Sequence, residues 1–181
     1  GEGFVAGEVE RIHWDAYGTA TSFTLRYSTD DGMTFNPITT VTGEKRQYDW
    51  TVPNTVNGQI RLLLIRGGKR DTTDFPGTIS PIPQNIEISK VCPDSMTISW
   101  NEINDSLSYE VYLLGAKYME IVGTSDTNFL EIPITNAGVS QWVSVRSSHA
   151  SGIHGRRALA VNWPGELKNC PQNIKHKHFK N

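Results

Sequence analysis

The side chains best suited to proton transfer near neutral pH are His13, His149, His154, His176 and His178. Hydrolysis would need one of them beside a nucleophile and an orienting acid. His149 and His154 flank the turn Ala150-Ser151-Gly152-Ile153, with further serines at 147 and 148. Serine near histidine in a loop is a common accident, and no G-x-S-x-G elbow supports it. His13 sits beside Trp14 in a strand-like stretch and reads as a facing residue. For a metal, His149 and His154 supply two ligands without an identifiable third, and no CxxC or Cys/His cluster exists. The expectation is a chain with no catalytic residue, no metal site and no cofactor, hence not an enzyme.

Other constellations read as turns. Ser28-Thr29-Asp30-Asp31-Gly32-Met33-Thr34-Phe35 fits S-x-D-x-G-x-T-[FW], the Asp-box of sialidase-like propellers. A propeller repeats such a box once per blade, and here it occurs once. The reading is a β-hairpin in which Asp30 accepts from turn amides and Gly32 takes positive φ. Calcium at Asp30/Asp31 would need a longer series of oxygen ligands. Arg66-Gly67-Gly68-Lys69 lacks the G-x-x-x-x-G-K-[ST] of a phosphate loop and reads as a hairpin. Lys175-His176-Lys177-His178-Phe179-Lys180 reads as an inter-module segment rather than a nickel or nucleic-acid site. Asn104-Asp105-Ser106 is a glycosylation sequon. Asp105-Ser106, with Asp94-Ser95 and Asp71-Thr72, also resembles the Asp-(Ser/Thr)-apolar acceptor of some bacterial surface O-glycoproteins. Asn104 and Ser106 are therefore candidate modification sites. The β-sandwich resemblance given below implies core positions for Trp14 and Trp100 and a buried corner for Trp142. That leaves Trp50 and Trp163 as the candidate exposed platform for a glycan or another ligand.

The elements that must carry these residues are strands. Phe23, Leu25 and Tyr27 alternate with polar residues, as do Met96, Ile98 and Trp100, and Tyr109, Val111 and Leu113 stand at every second position. Turn formers at 30–32, 57–58, 67–68, 104–106 and 150–152 punctuate the chain, and no stretch shows a helical stripe. Apolar runs stop at four residues, as in Leu62 to Ile65 between Arg61 and Arg66, far short of the roughly 20 a spanning helix needs. The chain of 181 residues has 17 Lys+Arg against 19 Asp+Glu, a net charge of -2. That balance argues against a partner bound by phosphate neutralisation.

The segment Ser80-Pro81-Ile82-Pro83-Gln84 divides the chain, since two prolines in three residues stop a ladder and stiffen a linker. The halves then match in order. Each has a strand leading into Trp (Ile12-His13-Trp14; Ile98-Ser99-Trp100), a Tyr-bearing strand, a Pro-containing segment and a long strand with arginine. The fold class predicted is all-β, two sandwiches in tandem.

Residues 82–165 resemble a fibronectin type III domain. The resemblance is carried by Pro83-Gln84-Asn85-Ile86, Met96-Thr97-Ile98-Ser99-Trp100-Asn101, Tyr109-Glu110-Val111-Tyr112 and Trp142-Val143-Ser144-Val145-Arg146-Ser147. Trp142 stands where that family has its corner tyrosine, which would put an indole N–H in the corner hydrogen bond. Residues 1–80 resemble the Ig-like/fibronectin-like modules of bacterial secreted multidomain proteins, through Gly7…Ile12-His13-Trp14, Tyr27 to Gly32, Tyr48-Asp49-Trp50-Thr51-Val52-Pro53 and Phe75…Ile79. In that pattern an edge strand precedes the Gly-Glu; its absence here would leave a sheet edge unpaired. The implied organisation is a module at 1–80, a fibronectin type III domain at 81–166, and a tail at 167–181. The tail's Pro171-Gln172-Asn173-Ile174 repeats residues 83–86 and looks like the start of a further module.

The resemblance implies a secreted or cell-surface protein. In that setting Cys92 and Cys170, 78 residues apart, are expected to form a disulfide rather than stay two free thiols. The function expected is a non-catalytic spacer or binding module beside neighbouring domains of a longer chain, with a protein or glycan partner and no nucleic acid. The alternatives are a carbohydrate- or host-adhesion module, or an accessory region of a secreted protease or glycosidase.

Overall fold

The computed structural model describes residues 3–19, 21–104, 106–135 and 139–171, with only the backbone at Ser151. The Pro-Gln-Asn-Ile repeat past Pro171, the Lys175–Lys180 stretch and Asp105 lie outside them. The first module contains β1 (Gly3–Val5), β2 (Val9–His13), β3 (Phe23–Ser28), β4 (Asn36–Val41), β5 (Gln47–Thr51), β6 (Asn57–Arg66), β7 (Lys69–Thr72) and β8 (Gly77–Ser80). The second contains β9 (Glu87–Val91), β10 (Ser95–Ser99), β11 (Ser108–Leu114), β12 (Met119–Ser125), β13 (Phe129–Pro133), β14 (Gln141–His149), β15 (Ile153–His154) and β16 (Val161–Trp163). A single 3-10 turn, Ala150–Gly152, interrupts the strands, and the described residues contain no α-helix. Among the described residues no helix is long and apolar enough to cross a membrane.

Two sandwiches in tandem result. In the second, a β13-β10-β9 sheet faces a sheet of β12-β11-β14 with β15 and β16 both pairing β14. Their inner faces meet in a core of Ile88, Val91, Met96, Ile98, Val111 and Val143, with Trp100 seated on Tyr109 at 5.1 Å. In the first, the larger sheet runs β1-β8-β6-β3-β4, with β7 folded onto β6, and faces a ribbon of β2 and β5 alone. Its core holds Phe4, Trp50, Val52, Ile60 and Ile79.

From the second strand on, the two modules repeat the same strand pairing. Trp14 N–H donates to the Arg46 carbonyl, and Trp100 N–H donates to that of Asn128, so the ribbon β2/β5 repeats β10/β13, with β10 86 residues after β2 and β13 82 after β5. They part at the first strand. β9 lies antiparallel on β10 and puts Ile88 and Val91 into the core. β1 instead runs parallel to β8 in the opposite sheet, pairing Phe4 with Ile79. Gly3–Val5 thus closes the β8 edge, and among the described residues no strand lies on the outer edge of β2.

Three tryptophans sit differently from the sequence reading. Trp50 is 4% exposed, packed on Phe4 and Tyr27. The alternation that turns Tyr48 and Val52 inward on β5 turns Trp50 inward with them. Trp163 is also 4% exposed, and its indole N–H donates to the Glu166 carbonyl. The platform expected from Trp50 and Trp163 is therefore absent. Trp142, expected in a buried corner, is 44% exposed: Val143 and Val145 take the inward positions of β14, which turns Trp142 outward. Between β10 and β11, the Ile103 N–H donates to the Tyr109 hydroxyl.

Candidate functional site

His149 and His154 lie where the modules meet. His149 ends β14 and is buried; its Nε2 lies 2.8 Å from Ser80 Oγ and 3.1 Å from Ser147 Oγ. Both serines are buried and both hydroxyls donate to the Pro81 carbonyl at 3.1 Å. His149 Nε2 and the two serine hydroxyls thus lie within hydrogen-bond distance of one another. Ser80 and Pro81 belong to the linker and Ser147 and His149 to the second module, so three buried polar side chains stitch one to the other. Burial is tolerable because each group is hydrogen-bonded. Gly155 makes room for it: a Cβ there would stand 2.9 Å from Ser80 Oγ and 3.0 Å from Ser147 Oγ.

Two further contacts flank this network. Arg156 grips the Glu10 carboxylate through both guanidinium nitrogens, at 2.8 and 3.2 Å. Ile153 packs on Gly58, where a Cβ would approach its Cγ1 to 2.7 Å. The excursion between β14 and β16 thus clasps β2, β6 and β8 of the first module. Beside the linker lies an open cleft of about 470 Å³, lined by Asn54, Gln84, Asn101, Glu102 and Asn104 among others. Asn104 is exposed there, while the Ser106 hydroxyl is turned to the carbonyls of Ser108 and Ser148.

His154 is the other histidine near serine. Its Nδ1 lies 3.0 Å from Ser148 Oγ and 3.7 Å from Glu110 Oε1. A triad needs the serine and the acid on opposite ring nitrogens, whereas here both address Nδ1. Glu110 is committed to structure, accepting from Tyr112 and Arg146. Burial acts to raise its carboxyl, but those hydrogen bonds outweigh it and hold the group below the ordinary range. Burial and then donation to Glu110 push the Tyr112 hydroxyl up to about 12. Arg146 and Arg157 stack over its ring at 5.7 and 5.1 Å. His149 and His154 face different partners, and no group of three or more His, Cys, Asp or Glu among the described residues is placed to hold a metal.

The Asp-box segment is a capped turn. Asp30 accepts from Ser28 Oγ, Thr34 N–H and Thr34 Oγ1 at 2.6, 2.8 and 2.6 Å, and Gly32 has φ of 92°. Gly67 and Gly68, both at positive φ, turn β6 into β7. Cys92 and Cys170 are bonded, with Cα atoms 5.1 Å apart. The bond secures a strap. Lys168 exchanges backbone hydrogen bonds with Val91, its ammonium reaches the Ile88 carbonyl, and Asn169 donates to that of Ser89. The outer edge of β9 is thereby covered.

Sequence reasoning missed the roles of Ser80, Ser147, His149 and the Glu10–Arg156 pair. No local signal marks them, because their partners lie 67 to 146 residues away.

No protein-family model and no curated protein matches this chain. Among solved structures, it is similar to the FN1–FN3 domains of chicken CNTN1, at 11% identity over 90% of this chain and 62% of that one, TM-score 0.40. It is similar to a two-domain fibronectin type III segment of chicken tenascin, at 15% identity over 87% and 93%, TM-score 0.44. It is also similar to the fibronectin type III domain of a human fibronectin type III domain containing protein, at 10% identity over 53% and 91%, TM-score 0.41. The chain thus spans less than two thirds of the CNTN1 segment. The assignment of two β-sandwiches rests on the strand pairing described above.

Proposed function

We propose that this chain is a non-catalytic spacer and binding segment of a larger secreted or cell-surface protein, of the bacterial multidomain kind its sequence resembles. On this reading residues 1–80 and 81–166 are its two modules and 167–181 lead onward. The observation that carries it is the clasped junction: a spacer that transmits position must not hinge at its linker. Buried Ser80, Ser147 and His149 hold the linker, Glu10–Arg156 ties β2 to the second module, and Ile153 fits over Gly58. The disulfide supports an oxidising compartment. Residual dipolar couplings test the proposal. One alignment tensor should fit both modules, and Gly155→Ala with Arg156→Ala should require two. Independent tensors in the unmodified chain would reject it.

A second reading, glycan or host adhesion, is favoured by one observation: Trp142 is exposed on the outer face of β14, two residues along that face from Ser144, which pairs with Tyr112. Signal on a glycan array that disappears in Trp142→Ala would support it, and no signal with the unmodified chain would end it.

A further inference from the structure

The cleft beside the linker draws its lining from both modules. Its volume is about 470 Å³. The first module contributes Asn54, Thr55 and Val56, from the turn between β5 and β6. The second contributes Asn101 to Asn104, from the turn between β10 and β11, and the linker adds Pro81, Ile82 and Gln84. A cleft of this size lies within the range of small-molecule sites, which favour interfaces between domains. The clasp at Ser80, His149 and Arg156 holds the two contributions together.

The main chain around the cleft is already bonded. Asn101 N–H donates to the Gln84 carbonyl, Thr55 N–H to that of Pro53, and Ile103 N–H to the Tyr109 hydroxyl. The side chains are not. Asn54, Gln84, Asn101, Glu102 and Asn104 are all exposed, and none of these side chains makes a hydrogen bond or ion pair to a described residue. Each of the four amides offers two donors and two acceptor lone pairs, and Glu102 adds acceptors alone. No lysine, arginine or histidine is among the described residues that line the cleft. Half-buried Ile82 and Ile103 add apolar surface.

We propose that this cleft binds a short neutral oligosaccharide. A sugar hydroxyl both donates and accepts, which matches side-chain amides that offer donors and acceptors in equal number. The C–H faces of the sugar rings suit Ile82 and Ile103. An anionic ligand fits poorly, because Glu102 is the one charge among the described lining residues. Calcium fits poorly too, since it takes about six to eight oxygens, commonly with several carboxylates, and only one carboxylate is present. An added peptide strand relies on main-chain hydrogen bonds, and the main-chain groups named above are taken. The site is distinct from exposed Trp142. That residue stands seven positions before His149 in β14, about 23 Å along the strand.

The proposal rests on the clasped junction, so residual dipolar couplings are recorded on the same sample. The probes are maltotriose, cellotriose and triacetylchitotriose, each added to the isotope-labelled 181-residue chain. At least one should shift the side-chain amide signals of Asn54, Gln84, Asn101 and Asn104 saturably, with a Kd at or below about 1 mM. Asn101→Ala and Gln84→Ala should each weaken that binding about tenfold with the rest of the spectrum unchanged. Trp142→Ala should leave it as it is. Trigalacturonate should bind several-fold more weakly than the best neutral probe, and Glu102→Gln should remove the difference. Gly155→Ala with Arg156→Ala should weaken binding about tenfold, because the lining is divided between the modules. No saturable shift with any of the three up to about 10 mM would overturn the proposal. So would tighter binding of trigalacturonate, the same shifts from calcium chloride alone, or binding that Trp142→Ala abolishes and Asn101→Ala spares. A single alignment tensor without sugar binding rejects the site and leaves the spacer reading; two tensors in the unmodified chain reject both.

Discussion

The same strand is finished in two ways in this molecule. β10 lies between β13 and β9, and its inward residues Met96 and Ile98 are fully buried beneath both. β2 has β5 on one side only, and at the offset of 86 its inward residues are Glu10 and Ile12. A carboxylate thus stands where the second module has Met96. It accepts from the Val5 N–H and from Arg156 of the other module. The first module gives up a core position at that end of β2 and uses it to hold its neighbour. The lesson is that the open side of β2, where no strand lies among the described residues, and the clasped junction meet at Glu10. An apolar residue at Glu10 would need a covering strand, whereas a paired carboxylate does not.

The largest expected effect tests the packing half of that comparison. Trp100→Ala should cost the second module about 3–5 kcal/mol, the range for deleting a buried aromatic. Trp14→Ala at the matching position should cost about half as much, because Trp14 is half-buried beside an open edge. Neither indole N–H bonds a described protein group, so neither substitution breaks a protein hydrogen bond. Denaturant unfolding followed separately by amide signals of each module measures both; equal losses would show that the open edge leaves Trp14 as tightly held as Trp100.

The disulfide comes next. Cys92→Ser with Cys170→Ser should destabilise the second module by about 2–4 kcal/mol. Amide exchange should rise at Val91, whose N–H is held by Lys168, while the first module keeps its stability. Smaller again is Arg156→Ala. The pair is partly exposed, so the stability loss should stay near or below 1 kcal/mol. The greater change should be in module orientation, read by residual dipolar couplings. A large stability loss with an unchanged tensor would place the junction's rigidity wholly in the Ser80–Ser147–His149 network.

Sheet content, the division at Pro81–Pro83 and the turn at Asp30 are legible in the sequence because each rests on alternation, proline or a short-range cap. Which tryptophans face out was misread. Trp50 stands among Tyr48 and Val52 in a strand where polar Gln47, Asp49 and Thr51 mark the outer face, a phase that was there to be used. Trp142 follows the same rule, since Val143 and Val145 beside it mark the inner face of β14. The junction was illegible for a different reason: Ser80, Ser147 and His149 look like loop residues until tertiary structure buries them together. Even then, only Gly155 hints at the close approach.

The smallest effect separates the two modules by pH. In the first, the β3–β4 turn is closed by Asp30, whose carboxyl is held down to about 2 by hydrogen bonds from Ser28 and Thr34. In the second, the β11–β12 turn is closed by the Gly115 N–H donating to the Tyr118 carbonyl, a backbone bond rather than a carboxylate cap. A carboxyl depressed on folding adds stability above its ordinary pKa and loses it as pH falls toward the depressed value. The loss should therefore fall between about pH 4 and pH 2 and weaken the first module's turn alone. Side-chain carbon shifts of Asp30 should titrate with a midpoint of about 2. Exchange at the Thr34 amide, whose N–H Asp30 accepts, should quicken across that window and in Asp30→Ala at every pH. A midpoint near the ordinary 3.8, or equal acid sensitivity at Gly115, would show that the cap gives the first module nothing the second lacks.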